Sequence, residues 1–327
     1  SLYDDDRDTN PELSKIEGVT SFCHVLTESN TTHKSVPMLL SPVSAQNFDS
    51  IYYRKSVITA FKEAGFQTAF FSNQRYNHSF IDFFGMEADT YDFIKEDSQD
   101  SQYNPSDDEL LMLVEKELEK GNRKQFIVLH TYGSHFNYRE RYPETAAFFL
   151  PDFPVDAEVK YKDNLMNAYD NSIRYTDNFL ARIIHLLKQQ QVDASMLYTS
   201  DHGEDIFDDG RHLFLHASPV PSYYQLHVPL LLWTSDSYRE EYPGIEKAAS
   251  MNRQKNISSS ISFFQTMMEL AGIETPYRND SLSVTSPLYT EKSRVYLNDH
   301  NEPRPLDDIG MRKEDFEMLK KRGIDAQ

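Results

Sequence analysis

The sequence predicts an α/β fold with a mostly parallel sheet. Short β-prone apolar runs alternate along the chain with longer segments of helical periodicity, which is typical of that class. The 327 residues include 39% hydrophobic and 13% aromatic side chains, enough to bury a large core. The sequence contains no repeat, low-complexity tract or Gly/Ser linker. We therefore expect a single domain over residues 1–327.

The strands and helices can be placed in order. Strands are predicted at residues 19–26, 67–71, 125–130, 195–199 and 228–233, and amphipathic helices at residues 49–64, 107–119, 161–189 and 257–270. The third helix keeps its apolar residues close to a period of 3.6. Gly65, Gly121 and Gly272 follow the other three helices, as is common where helices end.

Charge and cysteine usage exclude several classes of function. The formal net charge of -19 argues against nucleic-acid binding and would repel an anionic membrane surface. No window approaches the roughly 18 apolar residues of a transmembrane helix. Cys23 is the only cysteine, so an intrachain disulfide and a multi-cysteine zinc site are both excluded.

Several reactive side chains follow predicted strands. Asp201 and His202 come directly after the strand at 195–199, and Asn73 comes just after the strand at 67–71. His130 closes a third strand, and His135 follows five residues later. Because ligands of open α/β sheets bind at the carboxyl ends of the strands, we expect these side chains to lie at one edge. An Asp-His pair suits zinc.

A loop farther along the chain holds two more histidines, His212 and His216. Their spacing of four would allow a helical zinc pair, but no glutamate stands where a zincin has its base. Pro219 and Pro221 disfavour a long helix here. We expect one of the two histidines to be a ligand and the other a bystander. His78, between Asn77 and Ser79, remains an open candidate.

A candidate nucleophile lies in the segment 28–39, after the first strand. Thr31 and Thr32 stand where a strand-to-helix turn is expected. The helix N-terminus would offer free N–H groups to a phosphate, and a neighbouring zinc ion would favour ionisation of a hydroxyl. The alternative is an ordinary N-cap cluster, which composition alone favours.

Five collinear segments resemble the lipid A phosphoethanolamine transferases, the family that includes the mobile colistin-resistance enzymes. They are residues 7–13 (RDTNPEL), 32–39 (THKSVPML), 167–171 (NAYDN), 200–204 (SDHGE) and 228–233 (VPLLLW). The similarity extends from residue 1 to about residue 275. It implies a three-layer αβα sandwich with a mainly parallel sheet, of the alkaline phosphatase and sulfatase type.

The resemblance also implies a zinc enzyme that works through a phosphorylated threonine. Counting back from Ser35 in the family's T-x-x-S-V-P motif selects Thr32 as the nucleophile and as a metal contact. Asp201 and His202 match zinc ligands of the family. His216 matches a third residue of the metal site, in the family pattern L-H-G-x-P.

Further residues match positions that contact the substrate. His130 and His135 fit an H-x-x-G-x-H motif, whose second histidine contacts the transferred phosphate in the family. We expect His135 to act in catalysis and His130 and Asn73 to bind substrate. A family lysine that binds phosphate has no clear match, and Arg75 or His78 is its candidate replacement.

Two other departures from the family pattern concern the metal site. The family's remaining zinc ligand is a glutamate of a G-E-[ST]-x-R motif upstream of the segment that matches residues 1–3. We therefore expect an N-terminally truncated chain, without that first metal-binding strand and the membrane anchor, that binds zinc weakly. Glu28 and Met38 replace paired cysteines around the nucleophile helix, so packing must hold this loop.

The resemblance implies transfer of phosphoethanolamine from phosphatidylethanolamine to lipid A or another surface glycan. The parent would work as a monomer on the periplasmic face of the bacterial inner membrane. Three alternatives remain: a phosphoglycerol transferase, a sulfatase or phosphodiesterase on the same fold, and an inactive fragment. For a sulfatase, Leu39 stands where the C/S-x-P-x-R motif requires arginine.

Overall fold

A computed structural model of the chain describes residues 2–3, 6–95, 104–121 and 123–326. It divides into two compact units, each assembled from separate stretches of sequence. The first unit comprises Ser1–Val19, Gly65–Val192 and Ile206–Phe214, and the second comprises Thr20–Ala64, Asp193–Asp205 and Leu215–Gln327. None of the helices in the described ranges has both the length and the apolar character that crossing a bilayer demands. A single domain stays a prediction.

Strands and helices alternate along much of the chain. The strands are β1 (Val19–Phe22), β2 (His24–Leu26), β3 (Gln67–Ser72), β4 (Thr90–Phe93), β5 (Gln125–His130), β6 (Ser195–Thr199), β7 (Asp205–Ile206), β8 (Phe214–Leu215), β9 (Leu230–Thr234), β10 (Asn256–Ser258), β11 (Val295–Leu297) and β12 (Pro303–Pro305). The α-helices are α1 (Thr32–Leu39), α2 (Val57–Glu63), α3 (Phe80–Gly85), α4 (Asp108–Glu119), α5 (Lys162–Gln189), α6 (Tyr223–Leu226), α7 (Asp236–Glu241), α8 (Pro243–Asn252), α9 (Ser259–Leu270) and α10 (Lys313–Lys321).

The first unit contains a parallel sheet of three strands in the order β4-β3-β5. The register pairs Ser72 with His130, so β3 and β5 end at the same level. Helix α4 packs on β3 and β5 with its buried face, which includes Leu110, Leu111 and Val114. The polar residues that follow β3 and β5 are therefore brought to one edge of this sheet. Asp201 and His202 follow β6, which belongs to the sheet β1-β9-β6, so a single edge for all these residues stays a prediction.

Two of the family-like segments meet in the first unit. Arg7 donates a hydrogen bond to Asn167 Oδ1 (2.7 Å) and pairs with the Asp170 carboxylate (2.5 Å). The backbone N–H groups of Glu12 and Leu13 donate to Asp177 on the same long helix, α5. These contacts fix the N-terminal segment along α5. They give the segments 7–13 and 167–171 a structural role.

The second unit contains the sheet β1-β9-β6 and the parallel pair β2–β10. Its core includes Phe22, Val25, Leu230, Leu232 and Ile257. Strands β6 and β9 run antiparallel, whereas the pairs β2–β10, β3–β4 and β3–β5 are parallel, in agreement with the predicted mainly parallel arrangement. The sequence pattern did not reveal the direction of this pair, because a short apolar run looks the same whether its neighbour in the sheet is parallel or antiparallel.

Two predicted elements are interrupted in the structure. The strand predicted at 19–26 is split at Cys23, because β1 joins β9 while β2 pairs with β10. The helix predicted at 49–64 is a 3₁₀ helix, Ala45–Tyr53, followed by α2. Ser56 starts α2, since its hydroxyl accepts a hydrogen bond from Ile58 N at 3.1 Å and caps the helix there.

Glu28 holds the loop before α1 in place of the family's cysteine. Its carboxylate accepts a hydrogen bond from Ala45 N (2.7 Å), and its carbonyl accepts one from Leu297 N (2.8 Å). Met38, at the other cysteine position, is completely buried. Packing therefore contributes, as expected, and a buried carboxyl group adds to it. Burial raises the pKa of Glu28 from 4.5 to about 7, against opposing effects of the Ala45 and Ser258 hydrogen bonds and of Arg294.

The raised pKa of Glu28 predicts a pH-dependent stability. As pH rises through 4.5 the unfolded chain ionises first, so stability falls until the folded-state pKa near 7 is passed. Glu28→Gln stays neutral, and we expect its free energy of unfolding at about pH 8 to exceed that of the wild type by on the order of 2–3 kcal/mol. Urea denaturation at several pH values measures this difference.

The same measurement has a control in Glu63→Gln, which removes an exposed carboxylate from α2. The advantage of Glu28→Gln is expected to vanish below about pH 4.5, where both states of the wild type carry a protonated Glu28. An advantage of equal size at every pH would contradict the assignment.

Candidate active site

Thr32 lies at the start of α1, directly after the extended N-cap residue Thr31. Its Oγ1 is 3.1 Å from His202 Nε2, although the two residues are 170 positions apart in sequence. The same His202 nitrogen is 3.4 Å from Asp201 Oδ2. The second unit therefore brings together the candidate nucleophile and both residues of the Asp-His pair.

His216 joins this cluster. Its ring centroid is 4.0 Å from that of His202, and its Nδ1 is 3.1 Å from Glu204 Oε1. His212, the other histidine of that loop, is an exposed turn residue whose backbone N–H donates to Asp209 O. The arrangement favours His216 as the candidate ligand. Glu204 is a buried carboxylate that sequence analysis did not select, although it stands two residues after His202.

The cluster has the donors and spacing that zinc requires. His202 Nδ1 lies 3.0 Å from Gly203 O and donates to it, which leaves the Nε2 lone pair facing Thr32 and Asp201. Tetrahedral zinc with bonds of about 2.1 Å has its ligand atoms about 3.4 Å apart. The separations of 3.1 and 3.4 Å around Nε2 match that figure. The residues present therefore fit a zinc ion.

Gly203 allows the Asp201–Glu204 turn to pack closely against α6. A Cβ on Gly203 would lie 2.1 Å from the backbone oxygen of Tyr224 and 3.2 Å from that of His227. Its N–H donates to Gln225 O at 2.9 Å. Because backbone atoms stand in the way, the turn requires glycine at this position.

A buried polar network lies behind the cluster. Asn30 Nδ2 donates to Gln225 Oε1 (2.6 Å) and to Ser218 O (2.9 Å), and Gln225 Nε2 donates to Asp205 Oδ2 (2.5 Å). Tyr296 OH donates to Asn30 Oδ1 at 2.7 Å. The network joins three segments, and each segment also carries a residue of the cluster. Asn30 lies two positions before Thr32, Asp205 one position after Glu204, and Ser218 two positions after His216. The network therefore fixes their mutual positions.

In the first unit, a half-buried aspartate organises the loop after β5. Asp107 Oδ1 accepts from Tyr132 N (3.0 Å) and from Asn73 Nδ2 (2.5 Å), and its Oδ2 accepts from Gly133 N (3.0 Å). Burial raises the pKa of Asp107, and these three hydrogen bonds oppose the shift. The residues between His130 and His135 are thus held by one carboxylate that the sequence pattern did not single out.

The structure also describes contacts of the other predicted site residues of this unit. Asn73 is completely buried and its amide donates to Asp107. His130 Nδ1 lies 3.1 Å from Ser72 Oγ, and His135 Nδ1 donates to Phe136 O at 2.6 Å. His78 is exposed, with its ring edge against Tyr76 at 4.6 Å. Their roles toward a substrate stay predictions.

Comparison with known proteins identifies the family. The pattern of the sulfatase family matches residues 1–273, most of the chain. This chain belongs to the sulfatase family. The extent agrees with the similarity predicted from the motifs, which ended near residue 275. Within the sulfatase family, the resemblance to the phosphoethanolamine transferases is confirmed by the relatives described next.

Several relatives of this sulfatase-family chain are named phosphoethanolamine transferase. It is 28% identical over 299 residues to phosphoethanolamine transferase EptA of Salmonella typhimurium, covering 86% of this chain and 52% of that protein. It matches the C-terminal periplasmic domain of EptC from Escherichia coli, solved in complex with Zn, with a TM-score of 0.82 and 24% identity over 90% of this chain and 84% of that one.

A membrane protein is also among the structural relatives. The integral membrane protein lipooligosaccharide phosphoethanolamine transferase A (EptA) from Neisseria meningitidis matches with a TM-score of 0.76 and 23% identity, over 85% of this chain and 53% of that one. The chain spans about half the length of the curated relatives it matches. These structures confirm the predicted alkaline phosphatase and sulfatase-like α/β fold.

We predict that Gly203→Ala destabilises this sulfatase-family domain by about 2–3 kcal/mol, because the added Cβ collides with the Tyr224 carbonyl. Chemical denaturation measures the loss. Gly210→Ala is the matched control, since a Cβ there meets nothing within 4 Å. Equal stability of the two variants would show that the turn tolerates a side chain.

Gln225→Leu tests the buried network. The substitution removes the acceptor of Asn30 and a donor to the buried Asp205, so we expect a loss on the order of 3 kcal/mol in the free energy of unfolding. Gln190→Leu, at the exposed end of α5, controls for the change in residue type. A loss below about 0.5 kcal/mol in Gln225→Leu would mean that the network does not fix these segments.

Proposed function

We propose that the chain is the catalytic part of a zinc-dependent phosphoethanolamine transferase that works through a phosphothreonine intermediate. The observation that carries the proposal is the 3.1 Å approach of Thr32 Oγ1 to His202 Nε2, beside Asp201. The relatives named phosphoethanolamine transferase supply the reaction type.

Thr32 is a better nucleophile candidate than its neighbours on α1. Ser35, which occupies the position of a sulfatase's modified residue, is completely buried. Its hydroxyl donates to Ser29 O (2.9 Å) and Thr31 O (3.0 Å), away from the Asp-His pair. Thr31 Oγ1 is within 3.2 Å of Ser29 Oγ. These contacts support transfer by Thr32 over sulfatase chemistry.

Asp201, His202 and Thr32 would hold the zinc ion, with His216 completing the set. A zinc ion bound there would supply Lewis acidity, lowering the pKa of a hydroxyl and withdrawing charge from a phosphoryl oxygen. The crystal structure of the EptC periplasmic domain contains Zn, which supports this choice of metal.

The chain's own residues would carry the two transfer steps. Thr32 Oγ1 would attack the phosphorus of phosphatidylethanolamine, and the bond to diacylglycerol would break. A hydroxyl or phosphate of lipid A, or of another surface glycan, would then take the phosphoethanolamine from Thr32. The N–H groups at the start of α1 would bind phosphoryl oxygens.

We propose that His135 donates a proton to the leaving oxygen or stabilises the phosphoryl oxygens. Its Nδ1 donates to Phe136 O, which fixes the orientation of the ring. His130, His78 and Asn73 are proposed substrate contacts, and Asn73 would act through Asp107 and the loop that Asp107 holds. The parent protein would act as a membrane-anchored monomer at the periplasmic face of the inner membrane.

Thr32→Ala is expected to abolish transfer without loss of fold, because only one hydroxyl and one methyl group at a half-buried position are removed. The assay incubates the chain with zinc and phosphatidylethanolamine in detergent and follows release of diacylglycerol. Mass spectrometry of the peptide containing Thr32 should show a phosphoethanolamine adduct in the wild type.

Thr31→Ala is the matched control and should keep both turnover and the adduct. Undiminished turnover in Thr32→Ala would remove Thr32 from the mechanism, and a phosphoglycerol adduct from phosphatidylglycerol would redirect the proposal to the other transferase class. Calorimetric zinc binding should be lost in Asp201→Ala and His202→Ala but kept in the exposed control His185→Ala.

A further inference from the structure

An apolar loop, residues 148–155, protrudes from the first unit. Phe148, Leu150, Phe153 and Val155 are 57%, 67%, 62% and 81% exposed. Among the described residues, no other run of eight positions exposes four large apolar side chains. Single exposed apolar residues are ordinary on soluble proteins, whereas a cluster indicates an interaction surface.

Three asparagines of α5 fix the backbone of the apolar loop. Asn164, Asn167 and Asn171 are spaced three and four residues apart, so they share one face of the helix. In order, their side-chain amides donate to the carbonyls of Phe153 (3.1 Å), Pro151 (2.9 Å) and Phe149 (3.0 Å). Asn171 Oδ1 also accepts from the N–H groups of Phe148 and Phe149.

The loop is inverted relative to an ordinary surface loop. The only charged residue of the loop, Asp152, is buried and accepts a hydrogen bond from Tyr142 OH at 2.7 Å. The four apolar side chains named above face solvent. Polar groups bind the helix and apolar groups point outward. A loop held only for stability would bury its phenylalanines, so this arrangement points to a partner that is itself apolar.

Two arginines support the exposed rings. The Arg174 guanidinium carbon is 4.0 Å from the centre of the Phe148 ring, and that of Arg139 is 4.4 Å from the centre of the Phe153 ring. Both charges are compensated, since Arg174 pairs with Asp8 (2.8 Å) and Arg139 with Asp152 (3.3 Å). The loop therefore offers apolar surface without net positive charge.

We propose that residues 148–155 form a membrane-contact loop that inserts Phe148, Leu150, Phe153 and Val155 into the interface of a zwitterionic lipid bilayer. Interfacial binding to a bilayer scales with the apolar area that is buried, which a short apolar loop supplies, whereas a stable protein partner buries about 800 Å² on each side. A structural relative is an integral membrane protein, which places such a domain close to lipid. Membrane contact by the loop does not require catalytic activity, so the inference is independent of the proposed function.

Vesicle binding tests the loop directly. The wild-type chain is mixed with vesicles of phosphatidylcholine and phosphatidylethanolamine and separated by flotation. The triple variant Phe148→Ser, Leu150→Ser, Phe153→Ser is expected to bind at least tenfold more weakly. The control Tyr52→Ser, Tyr53→Ser removes two other exposed aromatic residues and should bind like the wild type. Equal binding of the loop variant and the wild type, or no binding by either, would overturn the proposal.

A fluorescence experiment reports the depth of the loop. The chain's only tryptophan, Trp233, is completely buried, so Leu150→Trp in a Trp233→Phe background places the sole probe on the loop. Vesicles should shift its emission to shorter wavelength, and lipids brominated on their acyl chains should quench it. If the variant does not fold after loss of Trp233, the same quenching is measured with Trp233 retained. An unshifted, unquenched probe would contradict insertion.

Two further measurements distinguish lipid insertion from catalysis and from charge attraction. Thr32→Ala should bind vesicles like the wild type, so failure of the catalytic proposal and failure of the loop proposal give different results. Raising the salt concentration should leave vesicle binding unchanged, because apolar area and not charge is used. Sedimentation that shows self-association lost in the triple variant, without vesicle binding, would assign the loop to a second copy of the chain and overturn the membrane proposal.

Discussion

The candidate site depends on one buried hydrogen-bonded network, formed by Asn30, Gln225 and Asp205. The Gln225 side chain accepts a hydrogen bond from Asn30 and donates one to Asp205. It therefore connects two segments that precede it by 195 and 20 positions in the sequence. Each segment continues directly into a candidate site residue. An apolar core at this point would need no hydrogen-bond partners, but it would allow the segments to shift relative to one another. A fully satisfied polar network permits one geometry. A site whose ligand atoms must lie within about 0.5 Å of their working positions requires that restriction.

Glu28 shows how the loop before α1 is held without a disulfide. A covalent link between the positions of Glu28 and Met38 would act whatever the pH. Here, a buried carboxyl group makes a hydrogen bond to the backbone of Ala45, and burial raises its pKa to about 7. The interaction is therefore tied to protonation, because an ionised group at this depth has to be desolvated. The chain has a single cysteine, so the stability of this loop depends on pH and not on an intrachain disulfide.

Sequence reasoning found the parts of the fold and site that have local signals. Asp201 and His202 were selected as candidates because they come just after an apolar strand. The sustained helical period of α5 predicted its bounds to within one residue. The residues it missed have weaker local signals. Glu204 lies in the family-like segment 200–204 but is one acid among 52 Asp and Glu residues, and Gln225 is identified only by its contact with Asn30. The split of the 49–64 helix was decided by Ser56, a better cap than its neighbours. The antiparallel β6–β9 pair depends on long-range packing, which an apolar run does not encode.

The strongly acidic composition explains why a membrane-contact surface on this chain would be apolar and not basic. On a chain with a formal net charge of -19, arginines pair with nearby carboxylates, as Arg174 pairs with Asp8 and Arg139 with Asp152, and are not available to lipid phosphate. Such pairs cancel the electrostatic attraction to anionic lipid on which a polybasic surface depends. Salt screens the remaining attraction over a distance of about 8 Å. Apolar insertion avoids this competition, because carboxylates do not compete for phenylalanine or leucine side chains. The aspartate of the loop is turned inward for the same reason: an exposed Asp152 would bring charge into the layer that the rings are shaped to enter.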